Sequence, residues 1–190
     1  MKQSAAPAPP SVAGGLVLAA TGSAALLLRL SIAALPTPAR VVSLAAISGA
    51  ILVASLLVPV PAGVRRIHPA IALAVGMAGV GVAAFAAGRP AGVPFSPWAL
   101  PLSILAAAAE EALFRRAAYG AIDARLGAAA AIGGTAVLFA LVHVPLYGVA
   151  AFPVDLGAGL LLGWQRWASG NWTVPAATHA AANVLAVLAR

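Results

Sequence analysis

Seven apolar stretches of about 20 residues recur along this 190-residue chain, at 12–35, 41–60, 69–88, 98–122, 127–147, 149–168 and 172–189. That length is what a helix needs to cross the hydrocarbon of a bilayer, and it leaves little freedom in what the chain can become. With 63% hydrophobic and 8% charged residues and a mean hydropathy of +1.02, a soluble domain of this size has no interior large enough for so much apolar surface. The expected fold class is all-α, a polytopic integral membrane bundle of about seven transmembrane helices. Breakers separate the stretches: Pro36-Thr37-Pro38, Pro59 through Gly63, Gly88-Arg89-Pro90 through Pro97, and Gly170-Asn171. The junction at Gly148 is so short that the flanking stretches form either a tight hairpin or a broken, partly re-entrant piece. Residues 1–11, rich in Ala and Pro, read as a disordered tail, and 12–190 as a single membrane domain. Lys2 ahead of an apolar run also fits a signal peptide, but the run is longer than a usual signal core and further spans follow, which favours a retained first helix.

The net charge of +7 does not point to nucleic acid, because the eleven Lys and Arg residues are scattered between apolar runs. The bilayer is the expected partner. Counted by loop, Lys2, Arg65, Arg66, Arg115, Arg116, Arg125 and Arg166 fall on the side of the N-terminus, against Arg40, Arg89 and Arg190 on the other. The positive-inside rule then places the N-terminus in the cytoplasm. Trp98, Trp164, Trp167 and Trp172 lie near stretch ends, as interfacial aromatics do. Gly159 and Gly163, four apart, suit close helix packing. The chain has no cysteine, which removes disulfides, thiolate nucleophiles and Cys-bound metals.

Only four acidic residues occur, and two of them, Glu110 and Glu111, are adjacent in an apolar run with no other charge back to Arg89. An ionisable group at such depth costs several kcal/mol unless paired or hydrated, so it is a functional candidate by default. Helical spacing puts Arg115 four residues after Glu111 on the same face, in the favourable order for an ion pair. Glu110, about 100° round the helix, points to another neighbour and is available for proton transfer. The bland alternative pairs both glutamates with Arg115 and Arg116 at a cytoplasmic helix end. Of three histidines, His143 closes one apolar stretch and His179 stands one turn before Asn183 in the last; His68 lies in an arginine-containing loop and reads as a surface residue. Each alone is as readily core or interhelical glue. Together, acid, imidazole and amide on three apolar helices converge only in a bundle interior. Asp155, following Pro153, reads as a helix N-cap. Ser103 and Thr178 lack any serine-hydrolase motif.

Glu-Glu-x-x-x-Arg at 110–115, Phe-x-x-x-His at 139–143 and His-x-x-x-Asn at 179–183, in this order, resemble the CPBP intramembrane proteases. These are the CAAX-protease and bacteriocin-processing or Abi proteins, also called type II CAAX prenyl endopeptidases. The resemblance covers about 98–190. It implies a polytopic peptidase whose polar cavity opens toward the cytoplasm, in which Glu110 and His143 activate water, and His179 and Asn183 bind the developing oxyanion. Glu111 and Arg115 lend structural support. The chemistry is sound without the name: a carboxylate can take a proton from water and pass it to the leaving amine, while amide and imidazole donors stabilise a tetrahedral oxygen in a low dielectric.

Glu110, His143 and His179 also number enough to ligate zinc with water in the fourth place. No His-Glu-x-x-His pair is present, and the resemblance implies a glutamate-dependent mechanism, so no cofactor is favoured. A non-enzymatic reading, a transporter or membrane scaffold with a structural Glu–Arg pair, stays open. The substrate expected from the resemblance is a membrane-associated protein or peptide, prenylated or leader-bearing. The small, Ala-rich chain reads as a bacterial inner-membrane protein.

Overall fold

Proline and glycine cut the chain much as expected. The computed structural model describes residues 12–87 and 96–189. The tail at 1–11, Arg89 and Arg190 lie outside these residues. The order is α1 (Val12–Ile32), α2 (Thr37–Leu57), α3 (Pro69–Ala87), α4 (Ala99–Glu111), a π-helical segment (Ala112–Ala118), α5 (Tyr119–Tyr147), a 3₁₀ turn (Val149–Ala151), α6 (Phe152–Ser169) and α7 (Thr173–Leu188). No strand occurs among the described residues. Leu, Val and Ala supply helix propensity and apolar surface together.

One feature of the middle stretch was not legible in the sequence: the π-helix directly after Glu111, a wider turn of a kind frequent at functional sites. The reversal expected between the stretches 98–122 and 127–147 falls inside α5 at Gly127, whose φ of +80° is open to glycine and disfavoured for other residues. A methyl placed on Gly134 would lie 3.6 Å from the Ile122 side chain. In a straight helix twelve residues separate them by about 18 Å, so the two arms fold back on each other.

Leu26, Ile51, Leu113, Phe114, Phe139 and Val142 form the main apolar core, drawn from α1, α2, the π-segment and α5. Tyr119, Ile122 and Ala131 form a second cluster at the Gly127 end. Gly159 and Gly163 seat α6 against α5: a Cβ on Gly159 would meet the Ala136 backbone at 2.9 Å, and one on Gly163 would meet Ile132 at 3.2 Å. The expected packing role of this pair is what the contact requires.

Thr37–Leu57 and Ala99–Tyr147, the latter broken at Gly127, are long and apolar enough to cross a membrane; Val17–Ile32, Pro69–Phe85 and Thr173–Leu188 are apolar but shorter. Outward faces carry Val42, Val53, Leu57, Val82, Leu141 and Phe85, the last 92% exposed. Exposed apolar surface of this extent marks contact with lipid or a partner rather than with water.

Four placements need correction. Arg115, counted with the loop charges although its spacing pairs it with Glu111, is fully buried, and so is most of Arg166, whose Nε donates to the Arg115 carbonyl at 3.0 Å. Arg116 is half-buried and donates to the carbonyls of Ser55 and Val58 at the end of α2. These cations cap carbonyls and face aromatic rings inside the bundle, because a guanidinium has five donors to place. Asp155 is not the N-cap of α6: that position is Ala151, and Asp155 lies in the first turn with Oδ2 buried and without a hydrogen-bond partner. The helix begins earlier because Pro153 occupies its first turn, where proline is favoured.

Candidate active site

The polar groups predicted on three helices meet at one place. Glu110, His143, His179 and Asn183 line a cavity of about 420 Å³, with Arg29, Ser103 and Tyr147 on the same wall. α4 carries Glu110, the second arm of α5 carries His143, and α7 carries His179 and Asn183.

Glu110 is almost fully buried, and its two oxygens differ. Oε1 lies 2.7 Å from Arg29 Nη1. Oε2 has no hydrogen-bond partner and faces His143 Nε2 at 3.6 Å and His179 Nε2 at 3.9 Å. The ring nitrogens can be assigned from their neighbours. His143 Nδ1 lies 2.7 Å from the Phe139 carbonyl, which only accepts, so Nδ1 carries the proton and donates. In the neutral ring Nε2 is then a lone pair aimed at the cavity. His179 Nδ1 lies 3.0 Å from Glu111 Oε1 and donates to that carboxylate.

Glu111 therefore has a second partner beyond the expected one. Arg115 Nε is 3.3 Å from Glu111 Oε2, a charge contact that lacks hydrogen-bond alignment, since both atoms remain without a hydrogen bond. Arg115 also reaches the Thr135 carbonyl at 3.5 Å and lies 5.2 Å over the Phe139 ring. Phe139 is the packing hub: its ring centre is 4.3 Å from that of His143 and 5.6 Å from that of His179. Tyr147 stacks on the other side of His143 at 5.6 Å. Asn183 Nδ2 donates to the Ser103 carbonyl at 3.3 Å, which leaves its second N–H for the cavity. Thr178 accepts from Gln165 and is structural; His68 is exposed, as expected.

Arg29 is the residue that sequence reasoning missed. The signal was present: it is the only charge in the stretch 12–35, and the rule that singled out Glu110 applies equally to it. Asp155 lines a neighbouring cavity of about 280 Å³ that shares His143, Tyr147, His179 and Asn183 with the first.

Among the described residues no three His, Cys, Asp or Glu side chains form a metal-binding group. One Glu110 oxygen is already held by a guanidinium, whose positive charge opposes a dication beside it.

The cavity has a definite position along the bundle. Arg29 lies in the last turn of α1, Leu102 near the start of α4, Tyr147 at the end of α5 and Val187 in the last turn of α7. Arg65, Arg66, Arg116 and Arg125 lie at the opposite end, where Arg66 donates to the Trp167 carbonyl. The cavity therefore lies toward the end of the bundle away from Arg65 and Arg66.

Fold and site together define an all-helical protein with a paired-carboxylate, two-imidazole centre beside a cavity. Residues 92–185 match the family model described as Rce1-like, type II CAAX prenyl endopeptidase Rce1-like. That stretch, just under half of the chain, is similar to the Rce1-like family. The match contains Glu110, Glu111, Arg115, His143, His179 and Asn183 and leaves out Arg29. No curated protein and no solved structure matches the chain.

Proposed function

We propose that this protein is a multi-pass intramembrane endopeptidase in which Glu110 activates water for attack on a peptide bond of a membrane-associated substrate. The observation that carries the reading is Glu110 Oε2, buried without a partner and facing two imidazole Nε2 atoms at the cavity wall. A water donating to Oε2 and to His143 Nε2 has its oxygen lone pairs turned to the substrate. Its oxygen bonds to the amide carbon as its proton passes to Glu110. The carbonyl oxygen, now negative, is received by Asn183 Nδ2 and by His179 Nε2–H. That donor exists when His179 carries both protons, its Nδ1–H going to Glu111. The tetrahedral carbon collapses, the C–N bond breaks, and Glu110 returns its proton to the leaving nitrogen.

His143→Ala should lower kcat for cleavage of a reconstituted membrane peptide about 10²-fold, as loss of one acid–base partner does. Unchanged kcat would remove His143 from the mechanism. Metal analysis of the same preparation separates this reading from a zinc peptidase, which requires stoichiometric metal and inhibition by chelator.

The exposed Arg65, Arg66 and Arg125 favour a cytoplasmic N-terminus, and the cavity then faces the opposite side of the membrane. The natural absence of cysteine makes this simple to test. In intact cells, a membrane-impermeant thiol reagent should label Leu102→Cys at the cavity mouth and spare Arg65→Cys. The reverse pattern would restore the cytoplasmic opening that family resemblance implies.

A further inference from the structure

In an apolar bundle a lone glutamate takes up a proton and loses its value as a base, so something must keep Glu110 charged. The groups facing it are Arg29 from α1, His143 from α5 and His179 from α7. Of these Arg29 makes the shortest contact, and its side chain is only 17% exposed. Arg115 is turned to Glu111 instead, and Glu111 is shared between Arg115 and His179. We propose that Arg29 is the counter-ion and positioning residue of Glu110: it holds the carboxylate ionised, fixes Oε1, and leaves Oε2 as the oxygen that faces the imidazoles.

The inference rests on the peptidase reading for its purpose, but its observables are independent of cleavage. A carboxyl torsion is broad and roughly two-fold, so an unanchored Glu110 exchanges its oxygens and swings away from His143. Arg29 anchors it through one charge-assisted bond. The anchor comes from a helix outside the family-matched stretch, so α1 is part of the working site rather than a membrane anchor alone. Leu26, one turn earlier, packs with Leu113 and Phe139 in the core and holds the last turn of α1 at the right depth.

The test uses a hydrophobic carbodiimide, which modifies carboxyl groups in their protonated form, on the full chain in liposomes, with sites read by mass spectrometry. In the wild-type protein Glu110 should be spared while Asp155, which forms no ion pair among the described residues, reacts. Arg29→Gln should raise modification of Glu110 at least several-fold, and Arg29→Lys should keep it protected. Equal reaction of Glu110 and Asp155 in the wild type would overturn the proposal even if Arg29→Gln fails to fold. So would a lysine variant as reactive as the glutamine one. For cleavage, Arg29→Gln should lower kcat about 10²-fold with little change in KM, the scale of a misplaced catalytic group. If Glu110→Gln abolishes cleavage and Arg29→Gln leaves kcat intact, this inference alone falls.

Discussion

Glu110→Gln is expected to abolish cleavage of a membrane-embedded peptide, with kcat reduced by roughly 10³-fold or more, because one group serves as both base and acid. The substitution is nearly isosteric. It removes the negative charge that pairs with Arg29 at 2.7 Å and replaces one oxygen with an amide nitrogen that has no basic lone pair. KM should change far less, since the remaining cavity wall, Leu102, Ser103, Tyr147 and Val187, is untouched. Full cleavage by this variant would reduce Glu110 to a structural ion-pair partner and bring forward the transporter or scaffold reading. The same preparation decides between them, because a relay or scaffold keeps its transport or binding when His179 and Asn183 are both changed to Ala.

The second large effect is on stability. Arg115 is 0% exposed and is the fixed cation beside Glu111. Arg115→Met keeps much of the volume but leaves a buried carboxylate supported by His179 alone, and breaking such a pair from one side costs about 3–5 kcal/mol. Unfolding in detergent should move to a markedly lower temperature. Adding Glu111→Gln to Arg115→Met should recover a good part of the loss, because the uncompensated charge is then gone. An unfolding transition at the wild-type temperature for Arg115→Met would show that the pair contributes nothing to folding. The two predictions divide the paired glutamates by their surroundings. Glu110 faces the cavity, where the proposed chemistry takes place, while Glu111 faces Arg115 and His179 and holds the imidazole ring.

Much of the candidate site was legible because its signals are local. Carboxylates in an apolar stretch are expensive, and an i,i+4 spacing defines a shared face, so Glu110, Glu111, Arg115, His143, His179 and Asn183 could be named from one dimension. What failed were statements about long side chains. Arg116 and Arg166 were counted as loop charges, yet each guanidinium reaches inward to backbone carbonyls. Asp155 looked like a cap because it follows a proline, a pattern that equally well describes the first turn of a helix already begun.

The residue types and their periodic spacing determined that the chain is helical, where most helices start and stop, and that acid, imidazole and amide belong to an interior. These follow from hydrogen-bonding and transfer free energies that each segment carries alone. Which oxygen of Glu110 is free, that Arg29 from 81 residues away holds the other, that Glu111 grips His179, and that the cavity lies away from the arginine-rich end were decided only by the packed bundle. Those facts depend on distances between helices, and such distances are set by how Phe139, Leu113 and the close contact at Gly159 fill the space between them.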